Sequence, residues 1–417
     1  MNIIKDKKLA ETGKKNIEWA EVHMPVLQLV KQRFEKEKPL KGKRIAACLH
    51  VTKETAVLVK TLRAGGAEVS ICASNPLSTQ DDIAAALDAE GFNVYAVKGC
   101  DNPTYFQCIN KALDVKPHIT IDDGADLLNV IHTKRQELLK EVIAGQEETT
   151  TGVIRLRAMA NDKALKYPVI AVNDTPTKHL MDNWYGTAQS TLDGVIRATN
   201  ELIAGKVVVV SGYGHCGKGI ASRARGLGAR VVVTEISPVE ALRAFFEGFQ
   251  VLKMSEAAKI GDIFITVTGN KHVIDKQHFE AMKDGAVVCN SGHFDVEVNV
   301  SELQKMATAK KEARPLVEEY KLKNGKRIIL LAQGRLVNLA CAEGHPSEVM
   351  DLSFSDQALV AEYIATNSAK LNEKKVYDVP AKIDTEVALL KAKAHGIGVD
   401  ELTAEQKAYL AGWKEGT

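Results

Sequence analysis

The stretch VVVVSGYGHCGKGIASRARGLGARVVVTE, Val207 to Glu235, constrains the fold more tightly than any other part of the 417-residue chain. An apolar run, a glycine-rich loop, a helical stretch and a second apolar run form a strand–loop–helix–strand unit. Such a unit buries itself only if its two strands lie parallel in a sheet with the helix across one face. Glycines alone are weak evidence, because they end helices and make turns everywhere. In this context each has a job: Gly212 for the tight turn, Gly214 to admit a pyrophosphate, Gly217 to let helix pack on strand. The helix N-terminus then offers unpaired N–H groups to phosphate oxygens. Glu235 ends the second strand, where a carboxylate accepts hydrogen bonds from both ribose hydroxyls and repels a 2′-phosphate, so the unit points to NAD over NADP.

The loop begins about 200 residues into the chain, behind a segment with its own strand–helix rhythm. GKRIAACLH reads as a buried strand, TAVLVKTLRAGGAEVSICA as a helix, a Gly-Gly stop and a strand, and STQDDIAAALDAEG as a helix with Ser78 as candidate N-cap before FNVYAV. CINKALDVKP then leads into HITIDDGAD. From Lys206 a second series runs through KVVVV, RVVVTE, FQVLKM, DIFITVTG, GAVVCNSG and RIILLA. The fold class is α/β: two open doubly wound parallel-sheet domains, the second a Rossmann domain, with a short helical C-terminal tail from about Tyr377 that packs on another domain or subunit. A cleft between two such domains is where a ligand binds.

Lys and Arg total 55 against 53 Asp and Glu, interspersed, so no face is built for nucleic acid. No apolar run reaches the ~20 residues of a membrane span, and the start lacks a signal-peptide core. The seven cysteines are odd in number and never form C-x-x-C, which argues against a disulfide framework or a zinc site. The expectation is a cytoplasmic protein with a small-molecule substrate and no metal.

Four polar clusters sit at strand ends of the first series: LHVTKET (His50, Thr52, Glu54), IDDGAD (Asp122, Asp123, Asp126), QEETTTG (Glu148 to Thr151) and VNDTPTKHLMDNWYGT (Lys178, Asp182, Asn183). Each also has a structural reading. DDG is a common turn, His50 could be a satisfied core histidine, and Lys178 with Asp182 could be a surface pair worth only ~0.3 kcal/mol. What favours a site is that all four occupy the loops that converge at the carboxyl ends of a parallel sheet.

These words, with HMPVL, NPLSTQDD, GYGHCGKG, NSGHFDVE, GRLVNLACAEGHPSEVMDLSF and LTAEQKAYL, resemble the adenosylhomocysteinase (S-adenosyl-L-homocysteine hydrolase) family from about Trp19 to Tyr409. The resemblance implies hydrolysis of S-adenosyl-L-homocysteine to adenosine and homocysteine by transient oxidation of the ribose 3′-hydroxyl with tightly bound NAD, followed by elimination, water addition and re-reduction. It implies a first substrate-binding part over 1–182, an inserted NAD domain over 183–342, a return segment over 343–376 and a tail over 377–417. It matches Lys178 and Asp182 to the groups at the 3′-hydroxyl, His50 and Asp123 to acid–base groups near the 4′ and 5′ carbons, and Glu148 to the carboxylate on the ribose. Thr52 and Glu54 match substrate contacts, while His293 and His345 match residues beside the nicotinamide and the purine. Thr149, Thr150, Thr151, Asn183, Gly212, Gly214, His215, Cys216, Gly217, Lys218, Gly219, Glu235, Ser291, Gly292 and Asn338 match the cofactor side, to which His293 and His345 also belong. A lysine base must shed its proton near neutral pH, which burial promotes and a close carboxylate opposes; the sequence leaves the balance open.

The chain also departs from the family's commoner pattern. His215-Cys216 replaces Asp-Val, Glu240 stands where many relatives have Asn near the adenosine ribose of NAD, and Thr187 takes a frequent cysteine position. Many relatives continue past AGWKEGT into a Lys-and-Tyr tail that reaches a neighbour's NAD, although some prokaryotic members are similarly short. Analogy implies a homotetramer. Three rival readings stay open: a hydroxyacid dehydrogenase, a silent nucleotide-binding relative, and an enzyme for S-inosyl-L-homocysteine, against which the Thr52 and Glu54 pattern favours adenine.

Overall fold

The computed structural model describes residues 2–415, so Gly416 and Thr417 at the end of the expected tail lie outside it. The first sheet starts with β1 (Arg44–Cys48), β2 (Glu68–Cys72), β3 (Asn93–Tyr95), β4 (Ile119–Asp122), β5 (Ala144–Glu147) and β6 (Val169–Ala171). The chain then builds a second sheet from β7 (Val207–Ser211), β8 (Arg230–Thr234), β9 (Gln250–Val251), β10 (Ile263–Thr266), β11 (Ala286–Asn290), β12 (Ala307–Arg314), β13 (Val317–Leu322) and β14 (Arg327–Leu331). It returns through the 21-residue helix Ser347–Asn367 to add β15 (Val376–Asp378) beside β6, closing the first sheet at its edge.

The spatial orders are β15-β6-β5-β4-β1-β2-β3 and β12-β13-β14-β11-β10-β7-β8-β9. Each sheet therefore reverses its winding once, between β4 and β1 and between β10 and β7. Those switch points leave a crevice beyond the strands' carboxyl ends, where an α/β sheet binds ligands. Helices cover both faces of the central strands, so β7 and β10 are buried at every position and β1 nearly so.

The two-domain α/β class holds, with one addition at the edge of the second sheet, where β13 pairs antiparallel with both β12 and β14. β12 has no buried residue and carries Lys310, Lys311, Glu312 and Arg314, a charged edge that deters pairing with another chain. Ser78 does not cap the helix Asp81–Ala89, whose N-cap Gln80 makes no side-chain capping bond; its hydroxyl turns toward His50 instead. The helix Ala381–Ala394 packs on the first domain, burying Ile383 and Val387 in its core and pairing Lys391 with the fully buried Asp351 at 2.8 Å. Helix Ala404–Ala411 buries nothing.

Candidate active site

A cavity of 810 Å³ opens between the carboxyl ends of the two sheets and draws its walls from both. From the first sheet, His50, Thr52 and Glu54 follow β1, Asp123 follows β4, and Glu148 to Thr151 follow β5. Lys178, Asp182 and Asn183 lie on the short turns after β6, and all line the cavity. Thr52 also serves as N-cap of the helix Lys53–Ala64. Glu54, 1% exposed, accepts a hydrogen bond from the Ser347 hydroxyl at 2.7 Å, which ties the first segment to the returning helix.

Lys178 is not a surface residue. Its Nζ lies 3.5 Å from both Glu148 Oε1 and Asp182 Oδ1, and it donates to Asn183 Oδ1 at 2.7 Å and Asn173 Oδ1 at 3.2 Å. Burial pulls the lysine pKa down, but Asp182 and Glu148 outweigh it, so the ammonium is held above its ordinary value. The two carboxylates split accordingly. Burial pushes both up; Lys178 and His345 more than offset this at Asp182 and hold it below the usual range, whereas Glu148, with Asp182 and Asp123 also nearby, rises to about 7. The ammonium is thus shared unequally, with Asp182 as the ionised partner. The returning helix completes this cluster, with the Ser353 hydroxyl donating to Asp182 at 2.8 Å and the Gln357 amide to Glu148. Neither residue was singled out from sequence.

His50 is the second titrating centre. Its Nδ1 meets the hydroxyls of Ser78 at 2.8 Å and Ser74 at 3.0 Å, and its Nε2 lies 3.2 Å from Asp123 Oδ2. Burial lowers its pKa to about 4 despite Asp123, so the ring is neutral near pH 7, with Nδ1 facing the two serine hydroxyls and Nε2 facing Asp123. The other oxygen of Asp123 lies 3.5 Å from His293 Nδ1, a residue of the second sheet, so this carboxylate bridges the two walls. His50, Asp123 and His293 bring three potential ligand atoms within 4.8 Å of one another, a set with the spacing to hold a metal ion. His345 Nδ1 lies 3.0 Å from Asp182, with Nε2 near Thr187 Oγ1 and Asn338 Nδ2.

The second sheet supplies mostly backbone. Gly212 has φ +100°, and a Cβ there would crowd the Val267 carbonyl; at Gly217 a Cβ would run into the Gly212 carbonyl. A Cβ at Gly214 meets nothing within 4 Å, which leaves room for a ligand. Glu235 is set by three backbone donors, Tyr213 N–H at 2.6 Å, Ile236 N–H at 2.7 Å and Ser237 N–H at 2.9 Å. Among the described residues, Asn338 Oδ1 and His215 Nδ1 are buried without a protein partner, on residues that line the cavity. These features fit a dinucleotide: phosphates at the loop and the N-terminus of the helix His215–Gly226, ribose at Glu235, and buried polar atoms that gain partners.

The structure brings His50, Asp123, Glu148, Lys178, Asp182, His293 and His345 together, with Thr149, Thr150, Thr151, Asn183, Cys216, Ser291 and Gly292 on the same cavity. It does not put Gly217, Lys218 or Gly219 on the wall, because the helix turns them inward: Gly217 and Gly219 have no room for a Cβ, and Lys218 pairs with Glu240. Sequence reasoning missed the loop Thr268–Asn270, which lines the cavity after β10 and is held by the buried Glu297 through the Thr268 and Gly269 N–H groups. Its only signal is TG following a strand, too common to stand out.

Comparison with known proteins follows this division. Residues 2–146 match the model described as S-adenosyl-L-homocysteine hydrolase, and residues 183–344 match its NAD binding domain. An adenosylhomocysteinase of Aquifex aeolicus is 60% identical over 416 residues, covering 99% of each chain. One of Pyrococcus abyssi is 57% identical, covering 99% of this chain and 98% of its own. An S-inosyl-L-homocysteine hydrolase of Methanocaldococcus jannaschii is also 57% identical, covering 99% of each.

Proposed function

Because the chain belongs to the S-adenosyl-L-homocysteine hydrolase family, we propose that it catalyses the reversible hydrolysis of S-adenosyl-L-homocysteine to adenosine and L-homocysteine in this cavity. The observation that carries the reading is the buried Lys178–Asp182–Glu148 cluster, placed across one cavity from a dinucleotide loop. A sulfur leaving group on an unactivated 5′ carbon resists direct displacement by water, and an adjacent 3′-ketone removes that difficulty by acidifying the 4′ C–H. Bound NAD supplies the hydride acceptor that makes this ketone and the hydride that later reduces it.

The protein's own groups hold and move protons. Lys178 meets the 3′-hydroxyl: as an ammonium it is ready to protonate the 3′ oxygen on re-reduction, and it must first lose a proton to serve as base in the forward direction. Asp182 stays ionised and orients it, and Glu148 binds the ribose hydroxyls. His50, neutral near pH 7, and Asp123 handle protons at the 4′ and 5′ carbons. Thr52 and Glu54 take the substrate, with His345 toward the purine. The cofactor side is Thr149 to Thr151, Asn183, the turn from Gly212 to Cys216, Glu235, Ser291, Gly292, His293, Asn338 and His345. The division is a substrate part at 1–182 and 343–376, a cofactor part at 183–342 and a tail at 377–417.

The purine is adenine on this reading. Glu54 is buried and its carboxyl oxygen accepts from the Ser347 hydroxyl, and such an acceptor favours an exocyclic amino group over the oxo group of hypoxanthine. The reaction takes place in the cytoplasm, in keeping with seven free thiols, and in a homotetramer. Association is supported by the helix Pro238–Phe246, which leaves Val239, Leu242, Phe245 and Phe246 58–81% exposed while burying only Ala244. Turnover in deuterium oxide tests the chemistry: adenosine and residual substrate should gain deuterium at the 4′ carbon and none at the 3′ carbon. Adenosine formed without 4′ exchange would mean direct displacement and a different mechanism.

A further inference from the structure

Beneath the glycine loop lies a charged pair that the reaction does not use. Lys218 is 3% exposed, and its Nζ sits 2.7 Å from Glu240 Oε2. Lys218 belongs to the first turn of the helix His215–Gly226 and Glu240 to the first turn of Pro238–Phe246. The second helix starts at Ser237, whose N–H also holds Glu235, and Lys218 lies 5.8 Å from the ring of Tyr213, whose N–H holds the other Glu235 oxygen. The pair therefore bridges the two elements that converge on the ribose carboxylate. The contact is a charge pair rather than an aligned hydrogen bond, since Glu240 Oε2 has no donor in hydrogen-bonding geometry. Arg243 and Tyr213 are both engaged by Glu247, which leaves Glu240 as the carboxylate in ion-pair contact with Lys218.

We propose that Glu240 is a cofactor-selecting residue: it holds the Lys218 ammonium inward, off the cavity wall, and so withholds that cation from a 2′-phosphate. The inference rests on reading the loop cavity as the NAD site. A 2′-phosphate brings close to two negative charges and three strong acceptors. It binds where a cation is free to meet it and is rejected where carboxylates stand and the cation is already paired. Glu235 supplies the repulsion that the glycine-loop pattern announces. Glu240 supplies the neutralisation of Lys218, which that pattern does not include.

Dinucleotide binding to stripped apoprotein, followed by calorimetry, tests this without relying on turnover. Glu240→Gln, which keeps the side chain's size and polarity, should leave NAD affinity within about threefold and tighten NADP about tenfold, the scale of one charge-assisted hydrogen bond. Adding Lys218→Met to Glu240→Gln should abolish the gain. An unchanged NADP to NAD ratio in Glu240→Gln overturns the proposal. So does a gain that survives Lys218→Met, which would reduce Glu240 to a diffuse charge. Parallel loss of both dinucleotides together with a lowered melting temperature would assign Glu240 to holding the helix and equally overturn it. A wild-type protein that binds neither dinucleotide would instead sink the NAD reading itself.

Discussion

The two walls of the cavity solve the same problem with opposite materials. Both are switch-point crevices of a parallel sheet. The first wall is made of side chains whose charge states depend on one another: Lys178 against Asp182 and Glu148, and His50 against Asp123. The second is made largely of backbone, with Gly212 and Gly217 packed too closely for a Cβ and Glu235 fixed by three N–H groups. A wall of backbone depends on shape, so it fails on steric changes, and its charge is concentrated in the one carboxylate it holds, Glu235. A wall of coupled side chains depends on protonation, so it keeps its shape and fails when one partner is removed.

Changing the first wall at its centre should give the largest effect. Lys178→Ala is expected to lower kcat by ~10³, within the range for a positioned general acid–base group, while calorimetry finds NAD bound nearly as in the wild type. A comparable loss of NAD affinity would mean the walls are not separable. On the second wall, Glu235→Ala should weaken NAD by roughly ten- to a hundredfold, the scale of hydrogen bonds to a charged group, and relax the preference against NADP. If the preference persisted, discrimination would lie elsewhere in the loop.

The pH dependence sharpens the contrast. His50 is neutral in the fold, with its pKa lowered to about 4 from an ordinary 6.5, chiefly by burial. The unfolded chain therefore binds more protons between those values, and stability is lost as pH falls through them. This group alone should cost about 1.5–2 kcal/mol between pH 6.5 and pH 5, and His50→Asn should flatten that part of the profile in denaturant unfolding. An unchanged slope would show that the ring takes up its proton in the fold over the same pH range as in the unfolded chain. The smallest effect belongs to Thr52→Ala, which removes the N-cap bond to Thr55 N–H, a long one at 3.4 Å, and should cost about 0.5–1 kcal/mol. Thermal unfolding would register it, and a drop several times larger would give Thr52 a role beyond the cap.

The same contrast explains what could be read from sequence. Backbone sites need glycines at fixed spacing, so the loop, its strand and Glu235 were all legible, as were central strands whose burial on both faces makes them apolar throughout. The side-chain wall was legible only through its combination of words and the family they resemble. His50 alone is indistinguishable from a core histidine until Ser74 and Ser78 are seen on its other nitrogen. Ser353 and Gln357 lie about a hundred and seventy to two hundred residues from the acids they bind, in a helix buried on nearly every side, where polar residues look like exceptions. β5, with the sequence AGQE, carries no apolar signature, and the exposed charged strand β12 has none either. Whether Lys178 gains or loses affinity for its proton depends on 3.5 Å contacts with Glu148 and Asp182 that spacing could not supply.

On the proposed mechanism both walls serve one cycle in which the cofactor is restored at every turnover. The direct measurement is homocysteine release from S-adenosyl-L-homocysteine by the protein as purified, with no NAD added, adenosine removed enzymatically and the protein's own seven thiols as blank. Sustained release over many turnovers is expected. Release that stops after one equivalent, or that consumes added NAD in proportion to product, would contradict the mechanism.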